Sequence, residues 1–341
     1  MMSDNWEWPS TTSEKRKYLE RLRLSPGQVT ENRRALGKVV HVCHLKSGLD
    51  VVNRVTTCGS VGKKTASSHS ADLDLVVYID DFKPQDMKTR FPALLDVIQN
   101  AMDKQYPGTR DTKWYRKFCL RYNIAGMEID ILIGATKVLP LDFLEVDDTE
   151  QRAYMSASVS HLATRLMKRQ GLPFHDMVRV AKHWRDSFSW APQCKPKSYL
   201  LEVIMLEAFR SLNYCSKTTL STMYHAPRGH GDAADAILRR FFELIGKVEN
   251  YHKDQAYDKD HLPPLFICNS TYFERKDLPL ETPEPIFQSS RHIGKGRNAR
   301  IKTRKATAIV MDPVNPTNNL WLTLGDAKTL VERARSALST A

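Results

Sequence analysis

Apolar residues recur at helical spacing over residues 12–24 and again over 27–45, where Val29, Leu36, Val39, Val40 and Cys43 fall on one face. Residues 51–57 and 74–79 read as strands, and 91–103 (FPALLDVIQNAMD) as a helix. FCLRYNI (118–124) and MEIDILI (127–133) are strand-like and joined by Ala125-Gly126, which predicts a hairpin. After Pro140 the pattern turns mostly helical. Residues 176–190 are amphipathic, and SYLLEVIMLEAFRSL (198–212) is apolar nearly all round, as expected of a central buried helix. A helix follows over 233–248, then a Pro-rich irregular stretch over 260–288. A short strand, TAIVMD, precedes the turn-rich 312–319, and DAKTLVERARSAL closes the chain as a helix with Asp326 as its N-cap. The expectation is α+β: a mixed-sheet lobe over 1–155 with N-terminal helices, a helical lobe over 156–341, and an active site in the cleft.

Composition adds bounds. The 341 residues suit two domains or one bilobed unit, and 41% hydrophobic with 26% charged is ordinary for a soluble protein. No run approaches the roughly 18 apolar residues of a membrane span. The start, MMSDNWEWPS, lacks the basic-then-apolar order of a secretory signal, so a cytoplasmic protein is expected. Cysteines 43, 58, 119, 194, 215 and 268 are scattered without a Cys-x-x-Cys pair, which fits free thiols in a reducing compartment. His41, Cys43 and His44 resemble metal ligands, but adjacent helical positions do not converge on one point.

Charge changes the picture more. A net charge of +12 points to a polyanionic partner. Segment 286–311 holds seven basic residues (Arg291, Lys295, Arg297, Arg300, Lys302, Arg304, Lys305) and no acid. Such cations repel one another unless an anion is expected. Lys15, Arg16, Lys17, Arg21, Arg23, Arg33, Arg34 and Lys38 are mixed with acids and read mainly as a solvated face.

The chemistry concentrates in TTCGSVGKKTASSHSADLDLVVYID (56–80). A Walker loop is excluded, because Thr57 stands where Gly62-Lys63 would need its first glycine. Asp72 and Asp74 share a face at the entry to a strand, as do Glu128 and Asp130 in MEIDILI. If those strands are neighbours, Asp72, Asp74 and Asp130 converge, and three such carboxylates stay ionised only with cations bound. Hard divalent ions with oxygen ligands are the natural compensation; a pair about 4 Å apart supports in-line phosphoryl displacement. Gly59 and Ser60 then hold a triphosphate beside them through backbone N–H groups and a hydroxyl. Alone, an Asp-x-Asp pair would only punctuate a turn; the whole series argues for a nucleotidyltransferase.

These motifs resemble the polymerase-β-like nucleotidyltransferases, and within them the 2′-5′-oligoadenylate synthases and the cyclic GMP-AMP synthase-like group. The resemblance spans roughly residues 27–338: CGSVGKKT with SADLDLVVYI, MEIDIL, VRVAKHWRD (178–186), KSYLLEVIMLEAF (197–209) and, most specific, IVMDPVNPTNNL (309–320). It implies that Asp72, Asp74 and Asp130 bind two Mg²⁺ ions, with Mn²⁺ as a substitute. It also implies that Gly59 and Ser60 hold the donor triphosphate, that Lys182 reaches the phosphates and that Tyr199 stacks on the donor base. Ser198 stands where many members carry Gln, and neither a Cys-Phe-Lys segment nor a His-Cys-Cys-Cys zinc ribbon occurs.

The implied activity is synthesis of 2′-5′-linked oligoadenylates from ATP, an innate-immune second messenger, with double-stranded RNA as activator and no obligatory protein partner. Lys15, Arg16, Lys38, Lys63, Arg291, Lys295, Arg297, Arg300, Lys302 and Arg304 are the candidate RNA contacts. Two alternatives stay open: an RNA-activated cyclic-dinucleotide synthase using ATP with GTP, and a catalytically silent RNA-binding module.

Overall fold

The computed structural model describes residues 6–48, 51–69, 72–80, 82–112, 118–191, 194–213, 230–248, 266–272, 288–293, 300–305, 308–324 and 327–340. It divides into two compact units, one formed by 20–169 and the other by 1–19 with 170–341. The 155/156 position thus lies inside the first unit, and the N-terminal segment belongs with the second.

In the unit 20–169, helix α2 (Pro26–Leu45) begins where the sequence supplies an N-cap, a capping box and an early proline. The Gln28 N–H donates to Ser25 Oγ at 3.2 Å, the Ser25 N–H donates to Gln28 Oε1 at 2.9 Å, and Pro26 sits in the first turn. Strands β1 (Val52–Thr57), β2 (Leu73–Ile79), β3 (Cys119–Ile124) and β4 (Met127–Ala135) form one sheet in the order β1-β2-β4-β3. β2 runs parallel to β4, and the outer pairs are antiparallel. Between β1 and β2 lies the short helix α3 (Gly59–Gly62).

Both faces of the sheet are covered, which is why β2 is apolar almost throughout. Helix α4 (Met87–Gln105) covers the face that carries Ile129, Ile131 and Tyr122, whose hydroxyl donates to Asp103 Oδ1 at 2.8 Å. On the other face a 3₁₀ turn, Ser156–Val159, presses on Gly134, where a Cβ would lie 3.0 Å from Ser158 Cα. Ser158 Oγ accepts from the Ala135 N–H there at 2.9 Å. This cover leaves the Asp74 and Asp130 end of the same face for chemistry. Helices α5 (Thr149–Met155) and α6 (Ser160–Lys168) complete the unit.

In the other unit, α7 (Leu172–Asp186) and α8 (Ser198–Ser211) pack together, α8 with nine buried positions, and α9 (His230–Gly246) packs on both. α10 (Lys328–Thr340) lies against α9. The N-terminal segment, with the start of α1 (Thr12–Leu22), is fastened to these helices by an aromatic and ionic clamp. Trp6 Nε1 donates to Tyr18 Oη, which is 2.7 Å from His183 Nδ1, and Trp6 meets Phe242 edge-on. Trp8 Nε1 and Lys15 Nζ both donate to Asp235 at 2.7 Å.

Three elements depart from expectation. The turn-rich 312–319 contains strand β9 (Asn315–Asn319), which pairs with β8 (Ile309–Asp312), itself beside β5 (Phe266–Ile267). The basic segment forms an antiparallel pair, β6 (Gln288–Ile293) and β7 (Arg300–Lys305). Helix α7 starts at Leu172, a turn earlier than the amphipathic pattern implied. The proposed cap Asp326 lies outside the described residues. Among the described residues no helix is long and apolar enough to cross a membrane, and Cys43, Cys58, Cys119, Cys194 and Cys268 are free thiols.

The clamp makes a stability prediction. Lys15 is buried to 8% side-chain exposure, and Asp235 retains 38%. Asp235→Ala leaves the ammonium without that carboxylate and should cost about 1–2 kcal/mol, below a fully buried pair because Asp235 faces water. Lys15→Met, which removes the charge and keeps the apolar stem, should cost less. Urea midpoints of the two variants give the comparison.

Candidate active site

The site begins with a loop that only glycine can form. Gly59 has φ +52°, and a Cβ there would lie 1.7 Å from Asp74 Oδ2. The loop backbone therefore rests directly on the Asp74 carboxylate. The Cys58 N–H donates to the Asp74 carbonyl at 2.8 Å, tying loop to strand. Ser60 is half-buried, and its carbonyl accepts from the Thr65 and Ala66 N–H groups at 2.9 and 3.0 Å, closing the loop on itself. Gly62 is needed too, since a Cβ would lie 2.3 Å from the Thr57 carbonyl oxygen.

Across the sheet, three residues form a row. Asp74 on β2 is the register partner of Asp130 on β4, which is opposite Arg121 on β3. Arg121 grips Asp130 with both prongs, Nε to Oδ1 at 2.7 Å and Nη2 to Oδ2 at 2.8 Å. Its third nitrogen reaches Glu128 Oε1 at 2.7 Å. Asp72 lies exposed, one residue before β2.

The electrostatics follow from this crowding. Burial first, then the Asp130 charge, push the Asp74 carboxyl up to about 6, with Asp72 adding to the rise; Lys63 and Arg121 oppose it. Lys63 is 8% exposed and supplies its charge beside Asp74. Burial raises Glu128 as well, against the pull of Arg121. The Cys58 thiol is pushed up to about 11, chiefly by burial, so it is no nucleophile at neutral pH.

The donor chemistry fits hard divalent cations. Asp74 and Asp130 present carboxylate oxygens from adjacent positions of neighbouring strands. Among the described residues, however, no three His, Cys, Asp or Glu side chains are gathered into one metal-holding group. Asp130 is committed to Arg121 on the side of β4 away from β2. At the other proposed metal-like cluster, Cys43 is buried while His41 and His44 are exposed, so they do not converge.

Lys182 and Tyr199 belong to the other unit, and both are engaged there. Lys182 Nζ donates to Glu202 Oε1 at 2.8 Å, with both side chains buried. Tyr199 Oη donates to Asp312 Oδ1 at 2.9 Å. Burial of that hydroxyl and the Asp312 charge hold its pKa well above the usual tyrosine value, while the residue as a whole keeps partial exposure. The 309–320 signature is largely a self-bonded hairpin of β8 and β9. Asp312 accepts from the Val314 N–H and from Asn318, Asn315 accepts from the Thr317 N–H, and Asn319 accepts from the Val310 and Trp321 N–H groups. Its contribution near Tyr199 is the Asp312 carboxylate.

The basic residues fare unequally. Lys15 is buried against Asp235 and Lys63 beside Asp74, so burial withdraws both from a surface polyanion site. Arg16 is exposed on α1, and Lys38 lies 5.8 Å from the Tyr106 ring. Arg291 pairs in register with Lys302, Arg304 with Ser289 and Arg300 with Ile293. Lys295 and Arg297 lie outside the described residues. Sequence reasoning missed Arg121, although Ala125-Gly126 is a two-residue turn with φ +56° and +81°, and counting back from it places Arg121 opposite Asp130.

The raised Asp74 carboxyl predicts a stability signature. The folded protein holds this proton more tightly than the unfolded chain does, so this group's contribution to stability falls as pH rises from about 4 to about 6. At pH 7.5, without metal, Asp74→Asn should raise Tm, the gain being at most about 3 kcal/mol. Below pH 4 the gain should vanish. Thermal melts in chelator across this range check it.

No protein-family model matches the sequence, and no curated protein matches it. Solved structures do match by fold. CdnC of E. coli MS115-1 solved with ATP superposes with TM-score 0.58 at 16% identity, covering 95% of this chain and 88% of that one. A cytoplasmic RNA terminal U-transferase gives 0.57 at 13%, covering 95% and 91%. Cid1, an RNA terminal uridylyl transferase, gives 0.56 at 12%, again covering 95% and 91%. The chain has the polymerase-β-like nucleotidyltransferase fold.

Proposed function

We propose that this chain is a nucleotidyltransferase that polymerises ATP into 2′-5′-linked oligoadenylates with release of pyrophosphate, activated by double-stranded RNA. The observation that carries the transferase reading is the register pairing of Asp74 and Asp130 beside a loop whose Gly59 backbone rests on Asp74. The motif resemblance supports the choice of product, and a fold shared with CdnC, solved with ATP, supports the donor.

In this mechanism Asp72, Asp74 and Asp130 would hold two Mg²⁺ ions. Such a pair, when bound, stabilises charge on the phosphoryl oxygens and lowers the pKa of the acceptor hydroxyl. Gly59 and Ser60 fix the triphosphate with backbone N–H groups and the Ser60 hydroxyl. An Asp130 carboxylate oxygen accepts the proton of the acceptor ribose hydroxyl. The ribose oxygen then bonds to the α-phosphorus while the bond from that phosphorus to the oxygen it shares with the β-phosphate breaks, and pyrophosphate leaves. Lys182 and Tyr199 are assigned to the phosphates and the donor base. RNA activation rests on the net charge of +12 and on the exposed basic residues, and duplex contact of this kind is shape-driven and salt-sensitive.

One observation keeps a second product in play. Ser198, at the position of the base-reading Gln in many oligoadenylate synthases, accepts through Oγ from Arg185 Nη1 at 2.9 Å. A hydroxyl held there in place of a Gln amide supports relaxed base choice and the cyclic-dinucleotide alternative.

The test incubates the full chain with Mg²⁺ and labelled ATP, with and without GTP and long duplex RNA. An RNA-stimulated ladder from ATP alone, resistant to a 3′-5′ nuclease, is expected. A single phosphatase-resistant product would move the reading to the cyclic dinucleotide, and no product at all would revive the silent RNA-binding module. Asp74→Asn and Asp130→Asn should each lower turnover about 10³-fold or more, the several kcal/mol of transition-state charge stabilisation that bound metal supplies.

A further inference from the structure

The fork of Arg121 on Asp130 has a consequence for how the site assembles. A bidentate guanidinium uses both oxygens of Asp130, and the same guanidinium extends to Glu128. The strand order β2-β4-β3 puts Arg121 and Asp74 on opposite sides of Asp130. The third carboxylate is therefore engaged away from its register partner, in keeping with the absence of a gathered three-carboxylate group among the described residues.

We propose that Arg121 is a positioning residue that competes with divalent metal for Asp130: the guanidinium serves as a built-in counter-ion in the metal-free protein and releases the carboxylate when metal loads. The inference rests on the nucleotidyltransferase reading and adds to it a residue that sets the metal requirement. Arginine suits the role because it cannot deprotonate and its planar fork satisfies two carboxylate oxygens at once. Nothing has to be protonated for the exchange; one cation replaces another.

A structural role, bracing the β3–β4 hairpin through Asp130 and Glu128, makes a different prediction. Bracing changes stability without changing metal affinity in the favourable direction, whereas a competitor's removal tightens metal binding.

The experiment is a Mn²⁺ titration of the full chain without nucleotide, read by electron paramagnetic resonance of free Mn²⁺. Arg121→Met should bind Mn²⁺ about tenfold more tightly than the unaltered protein, since both the guanidinium fork and its charge are gone. Arg121→Lys, which keeps the charge and loses the fork, should fall between. If Arg121→Met proves unfolded by circular dichroism, Arg121→Lys decides: tighter binding supports the proposal and equal or weaker binding overturns it. Equal or weaker binding by a folded Arg121→Met overturns it as well. In that case, loss of binding in Asp74→Asn would leave the metal-site reading standing. Mn²⁺ binding that is absent from the unaltered protein, or unchanged by Asp74→Asn, removes both.

Discussion

The molecule's chemistry depends on one electrostatic constraint: two carboxylates at paired positions of adjacent parallel strands, both largely enclosed. Asp74 and Asp130 cannot be moved apart without changing the β2–β4 register, and that register is fixed by the apolar residues between and after them. The surroundings respond to that charge. Gly59 brings bare backbone to Asp74, Lys63 is drawn below the surface beside it, and Arg121 closes on Asp130. A site that held these charges for structure alone would be better replaced by apolar residues, because burying a carboxylate costs stability unless it is fully paired.

The second unit works by the opposite logic. Its polar groups are paired inward: Lys182 with Glu202, Tyr199 with Asp312, Ser198 with Arg185. These pairings fix side-chain positions on α7 and α8 before any ligand arrives, and preorganisation of this kind lowers the cost of binding. For Lys182 the pairing also sets a condition on the proposed phosphate contact, which would have to compete with Glu202 for the ammonium.

Much of the first unit was legible in the sequence because its periodicities are clean. The helical spacing over 27–45, the apolar run of β2 and the hairpin at Ala125-Gly126 each carry a local physical signal, and each lies within a residue of where the pattern puts it. The Arg121–Asp130 pairing was equally available, by counting from the turn. Other features were hidden for definite reasons. Burial of Lys15 and Lys63 is invisible to charge counting: Lys15 is covered by pairing with Asp235, 220 residues away, and Lys63 by the fold of its own loop beside Asp74. Strand β9 is built from Asn, Pro and Thr, and its Asn side chains bond nearby backbone, Asn315 in β9 itself and Asn319 in β8, so it reads as a turn. The fastening of Trp6 and Trp8 to the helical unit joins positions some two hundred residues apart, beyond any local pattern.

The most direct measurement is a crystal structure of the full chain with Mn²⁺ and a non-hydrolysable ATP analogue, using anomalous scattering to place the metal. The account predicts Mn²⁺ bound by Asp74 and Asp130, triphosphate oxygens against the Gly59 backbone, and Arg121 withdrawn from Asp130. Nucleotide bound with no metal at these carboxylates, or metal bound with the Arg121 fork still closed on Asp130, would contradict it.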